Sequence, residues 1–384
     1  MPQLEILILE GCTSLVKVHE SIGYLKRLVL LNLRRCKNLR NLPINIFNLE
    51  SLKTLLLSQC FNLEKLPEQL GSLTALTELC VENSAIKQLP SSFSLLKSLE
   101  TLSLLGCECL IESPKFFQTS RLKKLILEGC ISLVEVHESI GLLKRLIYLN
   151  LGRCKKLKNL PSSISNLELL ETFELSDCLE LDKLPEQLEN LKALKCLHAS
   201  RIGGKQQPSS SKSSHIICLL PSIIELCSLT HLRQLVLDGC NLSEDEFPIE
   251  FGYLPSLNVL DLSRNNFRYL PSCISCLHGL RDLSLHGCTT LQSISLHTSV
   301  PYLRANGCTS LERILILTDQ SSAGSFELNN CNKLVEIQSL KSLEPQSEVY
   351  MGRCNNLAYD FRKSLLQVLP HSLSLSLTLF VLMT

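Results

Sequence analysis

The residues with most chemistry to offer are cysteines, 19 of them in 384 residues. Cys273-Ile274-Ser275-Cys276, with His278 two residues on, has the spacing of half a zinc site, and thiolate and imidazole are ligands that zinc favours. No second pair follows at finger spacing, so no metal is expected. Gly204-Lys205 invites comparison with a phosphate-binding loop, which needs an earlier glycine and a hydroxyl residue directly after the lysine. Gln206 follows the lysine and Ala199 stands where the first glycine belongs, so no nucleotide site is expected either. The nine histidines are scattered; His19 and His137 occupy equivalent positions and read as surface or packing residues. No paired carboxylates or nucleophile elbow stand out. The expectation is a chain that is not an enzyme and carries no cofactor.

The cysteines are instead periodic. Cys12, Cys36, Cys60, Cys107, Cys130, Cys154, Cys178, Cys240, Cys288, Cys308, Cys331 and Cys354 hold one position of a recurring unit, Leu-x-x-Leu-x-Leu-x-x-Cys-x-x-Leu-x-x-Leu-Pro. Asn265 takes the same place. An asparagine there would bridge backbone groups of adjacent turns; a thiol does so more weakly and tolerates burial. A buried ladder of free thiols is expected. An odd total with periodic rather than paired spacing fits a reducing compartment, hence a cytoplasmic location.

The elements that position these residues follow from the same unit. Its first leucine recurs at 4, 28, 52, 76, 99, 122, 146, 170 and 194, and resumes at 232, 257 and 280. Leu-x-Leu alternates at period two, which predicts a strand with one buried face. The rest of the unit returns the chain along the opposite side and ends at Leu-Pro. No single unit can bury its leucines, so neighbours must stack. The predicted fold is an α/β solenoid, a leucine-rich-repeat horseshoe. It has a parallel β-sheet on the concave side, an irregular or short-helical convex side, and roughly 14–15 repeats.

Breaks in the period set the expected boundaries. Residues 1–202 hold the first nine repeats. Residues 203–216, rich in Gly, Ser and Lys, read as a flexible inserted loop. Residues 217–292 continue the array, residues 293–360 form terminal repeats that have lost Leu-Pro, and 361–384 are a tail. The tail's Leu373-Ser374-Leu375-Ser376-Leu377 alternation suits a strand better than a membrane span. The start has no basic and apolar leader pattern, so no signal peptide is expected.

Formal net charge is +1 and aromatic residues are 5% with no tryptophan. Neither a strong field for nucleic acid nor a stacking platform for bases results. The expected partner is a protein, met on the concave face. A duplication sharpens this: residues 4–43 match 122–161 at 30 of 40 positions. Of ten positions expected to point outward from the strands, five differ, against five of the other thirty. Glu5 corresponds to Lys123, Leu30 to Tyr148, and Arg34 to Gly152. Binding hot spots favour arginine and aromatic side chains. The candidates at outward positions are Arg34, Arg35, Tyr148, Asn150, Arg153, Glu174, Asp177, Arg201, Asp261, Arg264 and His286.

Phrases such as Leu149-Asn150-Leu151-Gly152-Arg153-Cys154-Lys155-Lys156-Leu157 and Leu260-Asp261-Leu262-Ser263-Arg264-Asn265 resemble the leucine-rich-repeat region of plant intracellular disease-resistance receptors. The similarity is nearest to the subgroup with an N-terminal TIR domain and a nucleotide-binding switch, and covers roughly residues 1–360. The resemblance implies recognition of a pathogen effector or a guarded host protein, and restraint of the switch until then. NAD cleavage and nucleotide exchange, which the family implies for full-length members, fall on no residue of this sequence. The family's C-terminal domain is expected to be absent or only begun near Tyr359-Asp360-Phe361. A generic cytosolic scaffold, or a truncated decoy without receptor activity, is the alternative.

Overall fold

The computed structural model describes residues 3–203, 220–297, 300–317, 324–338 and 348–368. The expected loop at 203–216, beyond Gly203, and the tail from 369 onward lie outside the described residues. The chain divides into two compact units, Met1–Leu197 with Arg201–His215, and His198–Ser200 with Ile216–Thr384.

In the first unit the Leu-x-Leu segments form short strands: Ile6–Ile8 (β1), Leu30–Asn32 (β2), Thr54–Leu56 (β3), Glu78–Cys80 (β4), Thr101–Ser103 (β5), Lys124–Ile126 (β6), Tyr148–Asn150 (β7), Thr172–Glu174 (β8) and Cys196–His198 (β9). From β1 to β8 each pairs in parallel with the next at identical register, Leu31 opposite Leu55 and Leu125 opposite Leu149. The central residue of each strand, leucine except for Phe173 in β8, points into the core, and only Leu7 of β1 is left half-buried there. Leu31, Leu55, Leu102, Leu125 and Leu149 are fully buried, as are the flanking Leu28, Leu33 and Leu39, while Leu4, Leu9 and Leu15 of the first repeat are half-buried. A buried leucine contributes about 1.5–3 kcal/mol, so every repeat is stabilised chiefly by the neighbours that cover its leucines.

The second unit repeats this with Gln234–Val236 (β10), Val259–Asp261 (β11) and Asp282–Ser284 (β12). Then two strand sets alternate along the chain: Ser293–Leu296 (β13), Tyr302–Arg304 (β14), Arg313–Ile316 (β15), Ser325–Glu327 (β16), Glu336–Gln338 (β17) and Glu348–Tyr350 (β18). β14, β16 and β18 continue the repeat strands, while β13, β15 and β17 form a separate parallel sheet. Elsewhere this second position carries only single bridges, such as Lys17 to Asn41. Where Leu-Pro is lost, alternating Ile314-Leu315-Ile316 extends the bridge into a strand, with Ile314 and Ile316 buried and Leu315 half-buried. Nine repeat strands in one unit and six in the other make 15, a solenoid of the expected kind.

The return side is mostly single turns of 3₁₀ helix. Pro43, Pro67, Pro90, Pro161 and Pro248 each precede one with extended backbone, and Pro271 precedes another. Proline suits the place, since its φ is fixed and its missing N–H has no helical partner to lose, while its carbonyl accepts the first bond, as Pro43 does from Ile46 N–H at 3.1 Å. His19 and His137 replace the proline, and their Nδ1 atoms accept from Ser21 N–H and Ser139 N–H at 3.1 and 3.0 Å. These duplicated histidines are helix caps. In the interrupted repeat, Leu220–Leu226 (α1) is an α-helix, and Tyr359–Val368 (α2) follows the last described strand.

The cysteine ladder is a hydrogen-bond ladder. Cys60, Cys107, Cys154, Cys178, Cys308 and Cys354 each donate Sγ–H to a backbone carbonyl of the preceding repeat, at 3.0–3.2 Å. Asn265 does more with the same slot: Nδ2 donates to Leu237 and Leu262 carbonyls, and Oδ1 accepts from Leu242 N–H, all at 2.9 Å. Burial pushes the thiols of Cys60, Cys178 and Cys308 up to about 12, so they stay protonated donors at neutral pH. Among the described residues no disulfide joins any of the 18 cysteines.

Candidate functional site

The strands bury alternate residues, which leaves the residues on either side of the central leucine, and those just past the strand, to form the opposite face of each sheet. After each strand the chain turns through a left-handed residue directly before the cysteine position. Gly106, Gly129, Gly239, Gly287 and Gly307 hold this slot with φ of 63–76°, as glycine can. In other repeats the same conformation is forced on Arg35 (φ 60°), Arg153 (58°), Asp177 (66°), Arg201 (53°) and Arg264 (54°). Five of the eleven sequence candidates therefore share one backbone geometry. For a residue with a Cβ that geometry costs about 1 kcal/mol or more.

Each of these arginines lies against an acid on the preceding repeat. Arg201 holds Asp177 through two contacts, Nε to Oδ1 at 2.7 Å and Nη2 to Oδ2 at 2.8 Å. Arg264 grips Asp238 in the same bidentate way, its Nε at 2.8 Å from Oδ1 and its Nη2 on Oδ2. Arg35 lies 3.7 Å from Glu10 and Arg153 3.8 Å from Glu128. These two pairs are loose and wet, with Arg35 62% and Arg153 67% exposed. Exposed pairs of this kind return about 0–1 kcal/mol, which does not exceed the backbone cost. Glycine fills the slot elsewhere, so the fold does not require these side chains.

Around Arg153 the candidates come together. Asn150 is buried; its Oδ1 accepts from Gly152 N–H at 2.9 Å, and its Nδ2 donates to Glu128 Oε2 at 3.0 Å and Tyr148 Oη at 3.2 Å. Lys124 lies over the Tyr148 ring, 5.2 Å from its centre. Burial raises the Tyr148 hydroxyl pKa. The duplicate site has the same skeleton: Asn32 accepts from Arg34 N–H at 3.0 Å and donates to Glu10 at 3.1 Å. Arg34 is half-buried, and its Nε has no hydrogen-bond partner among the described residues. Asp261 repeats the asparagine's turn-closing role, accepting from Ser263 N–H at 2.9 Å. Glu174 is half-buried on β8, and His286 is exposed one residue before Gly287.

Sequence reasoning missed the acids. Glu10, Glu128 and Asp238 are the partners that aim the arginines. A signal existed: an acid two residues before the cysteine position, then an arginine 25 or 26 residues on. It also missed Arg304, held by Asp282 at 2.6 and 2.8 Å with Glu327 at 3.6 Å, which keeps its guanidinium firmly charged. Cys273 is buried while Cys276 is exposed. Among the described residues no three His, Cys, Asp or Glu side chains are grouped to hold a metal, and no helix is long and apolar enough to cross a membrane. The face is a lattice of charged and polar groups, suited to contacting another macromolecule.

Known proteins share this pattern. Residues 160–336 match the family model of the leucine-rich repeats of RPS4B-like disease resistance proteins. Disease resistance-like protein DSC1 of Arabidopsis thaliana is 31% identical over 341 residues, 86% of this chain and 24% of that protein. TMV resistance protein N of Nicotiana glutinosa is 47% identical over 66 residues, 17% of this chain and 6% of that one. The chain thus matches a quarter or less of the length of these relatives. Among solved structures, a leucine-rich-repeat protein of Leptospira interrogans superposes with a TM-score of 0.55 at 23% identity, covering 87% of this chain and 81% of the other; that likeness concerns the fold.

Proposed function

We infer that this chain, a leucine-rich-repeat array of the plant disease-resistance type, is the recognition surface of an intracellular immune receptor. Its exposed sheet face binds a protein, whether a pathogen effector, a guarded host protein or the receptor's own nucleotide-binding domain. Binding there governs the nucleotide switch carried by the rest of such a receptor. No chemistry is assigned to the array itself. A cytoplasmic site of action agrees with a ladder of buried, reduced thiols.

One observation carries this reading. Between the duplicated blocks, the buried leucines and cysteines are kept while the strand face changes. Glu5, Ile6, Val29, Leu30 and Arg34 are all exposed or half-buried in the first block, and each has a different residue in the second. Val29 to Ile147 is a mild change; Ile6 to Lys124, Leu30 to Tyr148 and Arg34 to Gly152 alter charge and shape. A face released from function would accumulate changes without keeping the hydrogen-bonded skeleton beneath them.

The test is made in the full-length receptor that contains this array, expressed in leaf tissue and challenged with the pathogen. Tyr148→Ala, Asp261→Ala and His286→Ala on the strand face are expected to abolish the defence response at unchanged protein level. Tyr24→Ala and Tyr253→Ala, exposed on the return side, are expected to leave it intact. The reverse pattern would sink the reading.

A further inference from the structure

The duplication preserves intact a constellation of polar groups in which a buried asparagine braces an outward glutamate and arginine. Glu10, Asn32 and Arg35 recur as Glu128, Asn150 and Arg153. In both, the asparagine donates Nδ2–H to the glutamate, at 3.1 and 3.0 Å. In both, the glutamate faces the guanidinium from 3.7 and 3.8 Å. That separation is beyond hydrogen-bonding distance, so the glutamate stands beside the arginine without occupying its donors. The arginine sits in a left-handed backbone slot where glycine would be easier. It is more than half exposed in both copies.

The surroundings of the two copies differ. The first is flanked by Ile6, Leu30 and Arg34, the second by Lys124, Tyr148 and Gly152. Retained centres with changed flanks describe a common anchor beside a variable reading surface. A planar, permanently charged guanidinium with free donors is built for a carboxylate.

We propose that Glu10–Asn32–Arg35 and Glu128–Asn150–Arg153 are two equivalent anchors for acidic side chains of a single protein partner. The anchors are five strand steps apart within one unit, about 24 Å at ~4.8 Å per step. A partner presenting two carboxylate groups at that separation engages both, and the second contact is then intramolecular and gains from effective concentration. The flanks decide which protein is accepted; the anchors set where it lies. The proposal rests on the strand face being the recognition surface.

The test uses a fluorescent peptide with three glutamates at each end of a polyproline spacer of eight residues, which spans about 25 Å at ~3.1 Å per residue. A one-ended peptide, with alanines replacing one glutamate cluster, is the reference. Anisotropy titrations of the full chain at low salt are expected to show the two-ended peptide binding at least ten-fold tighter. Arg35→Gly or Arg153→Gly alone is expected to return its affinity to that of the one-ended peptide, and both together to abolish binding. Neither variant is expected to lower the thermal midpoint, because glycine fits the slot. Lys26→Ala with Lys144→Ala, which removes two duplicated charges paired with Glu50 and Glu168, is the control and is expected to bind as the parent does. No gain from the second acidic end, no loss in the glycine variants, or no detectable binding of either peptide would overturn the proposal. If the anchors fail while Tyr148→Ala still abolishes the defence response, strand-face recognition survives without acidic anchoring. If the peptide binds as expected but Tyr148→Ala has no effect in the receptor, the converse holds.

Discussion

At the scale of the residue, one slot per repeat explains both what was legible and what was hidden. The cysteine position announced itself by spacing, and its role followed from the donor a thiol carries: Cys154 Sγ reaches the Leu127 carbonyl at 3.2 Å. The residue before it looked like any surface position. Its left-handed backbone becomes visible only in three dimensions, because Gly129 and Arg153 share a conformation that no residue type common to both betrays. Asn150, chosen as an outward contact, is buried as the brace of Glu128, since its amide satisfies local backbone first. The thiol ladder also has a titration consequence. The pKa values of Cys60, Cys178 and Cys308 are raised to about 12 in the folded chain, against about 8.5 when unfolded. Below the unfolded value both states are protonated and the contribution is complete. Above it the unfolded chain releases protons first, so stability declines from about pH 8.5 towards 12. Each such thiol is expected to cost about 1–2 kcal/mol by pH 10. Thermal midpoints measured between pH 8 and 10 should fall steeply, with thiolate absorbance appearing together with unfolding. In a variant with the exposed Cys12, Cys109 and Cys276 changed to serine, a flat profile, or thiolates forming in the folded protein, would contradict the ladder.

At the scale of the element, strand positions were readable from leucine spacing because burial on one face is the whole reason for the alternation. The return side was less so. Leu-Pro marked where it turns, yet only the structure shows that His19 and His137 replace proline as caps, a role that depends on ring orientation. The second sheet at Ser293–Leu296, Arg313–Ile316 and Glu336–Gln338 depends on neighbours 20 or more residues away, and looked from the sequence like loss of order. The 3₁₀ turns are stacked tightly. A Cβ on Gly141 would stand 2.6 Å from the Ser163 carbonyl oxygen and 2.7 Å from the Ser163 Cβ, and one on Gly252 would stand 2.6 Å from the Cys273 carbonyl oxygen. Backbone cannot swing aside as a long side chain does. Gly141→Ala is therefore expected to lower unfolding free energy by about 1–3 kcal/mol in urea titrations. An unchanged midpoint would mean that the turns separate more easily than their contacts imply.

At the scale of the molecule, stability is a chain of nearest-neighbour terms rather than one shared core. Damage should stay where it is made. In Gly141→Ala, amide exchange is expected to accelerate across β5 to β8 while β1 to β3 keep the parent's protection, read by hydrogen-exchange mass spectrometry. Uniform acceleration through the first unit would show a cooperative block instead. The same construction bears on inheritance. Lys123 N–H meets the Glu100 carbonyl at 2.8 Å, and Lys53 N–H meets the Val29 carbonyl at 2.8 Å; the seam where the duplicated block begins is made like any other. Because each rung is joined by backbone, a recombination slipping by 118 residues between the copies would delete or add five whole repeats without creating a foreign junction. A gene encoding such an array can thus shorten, lengthen or re-space its contact surface in a single crossover, and leave only the outward side chains for selection to sort.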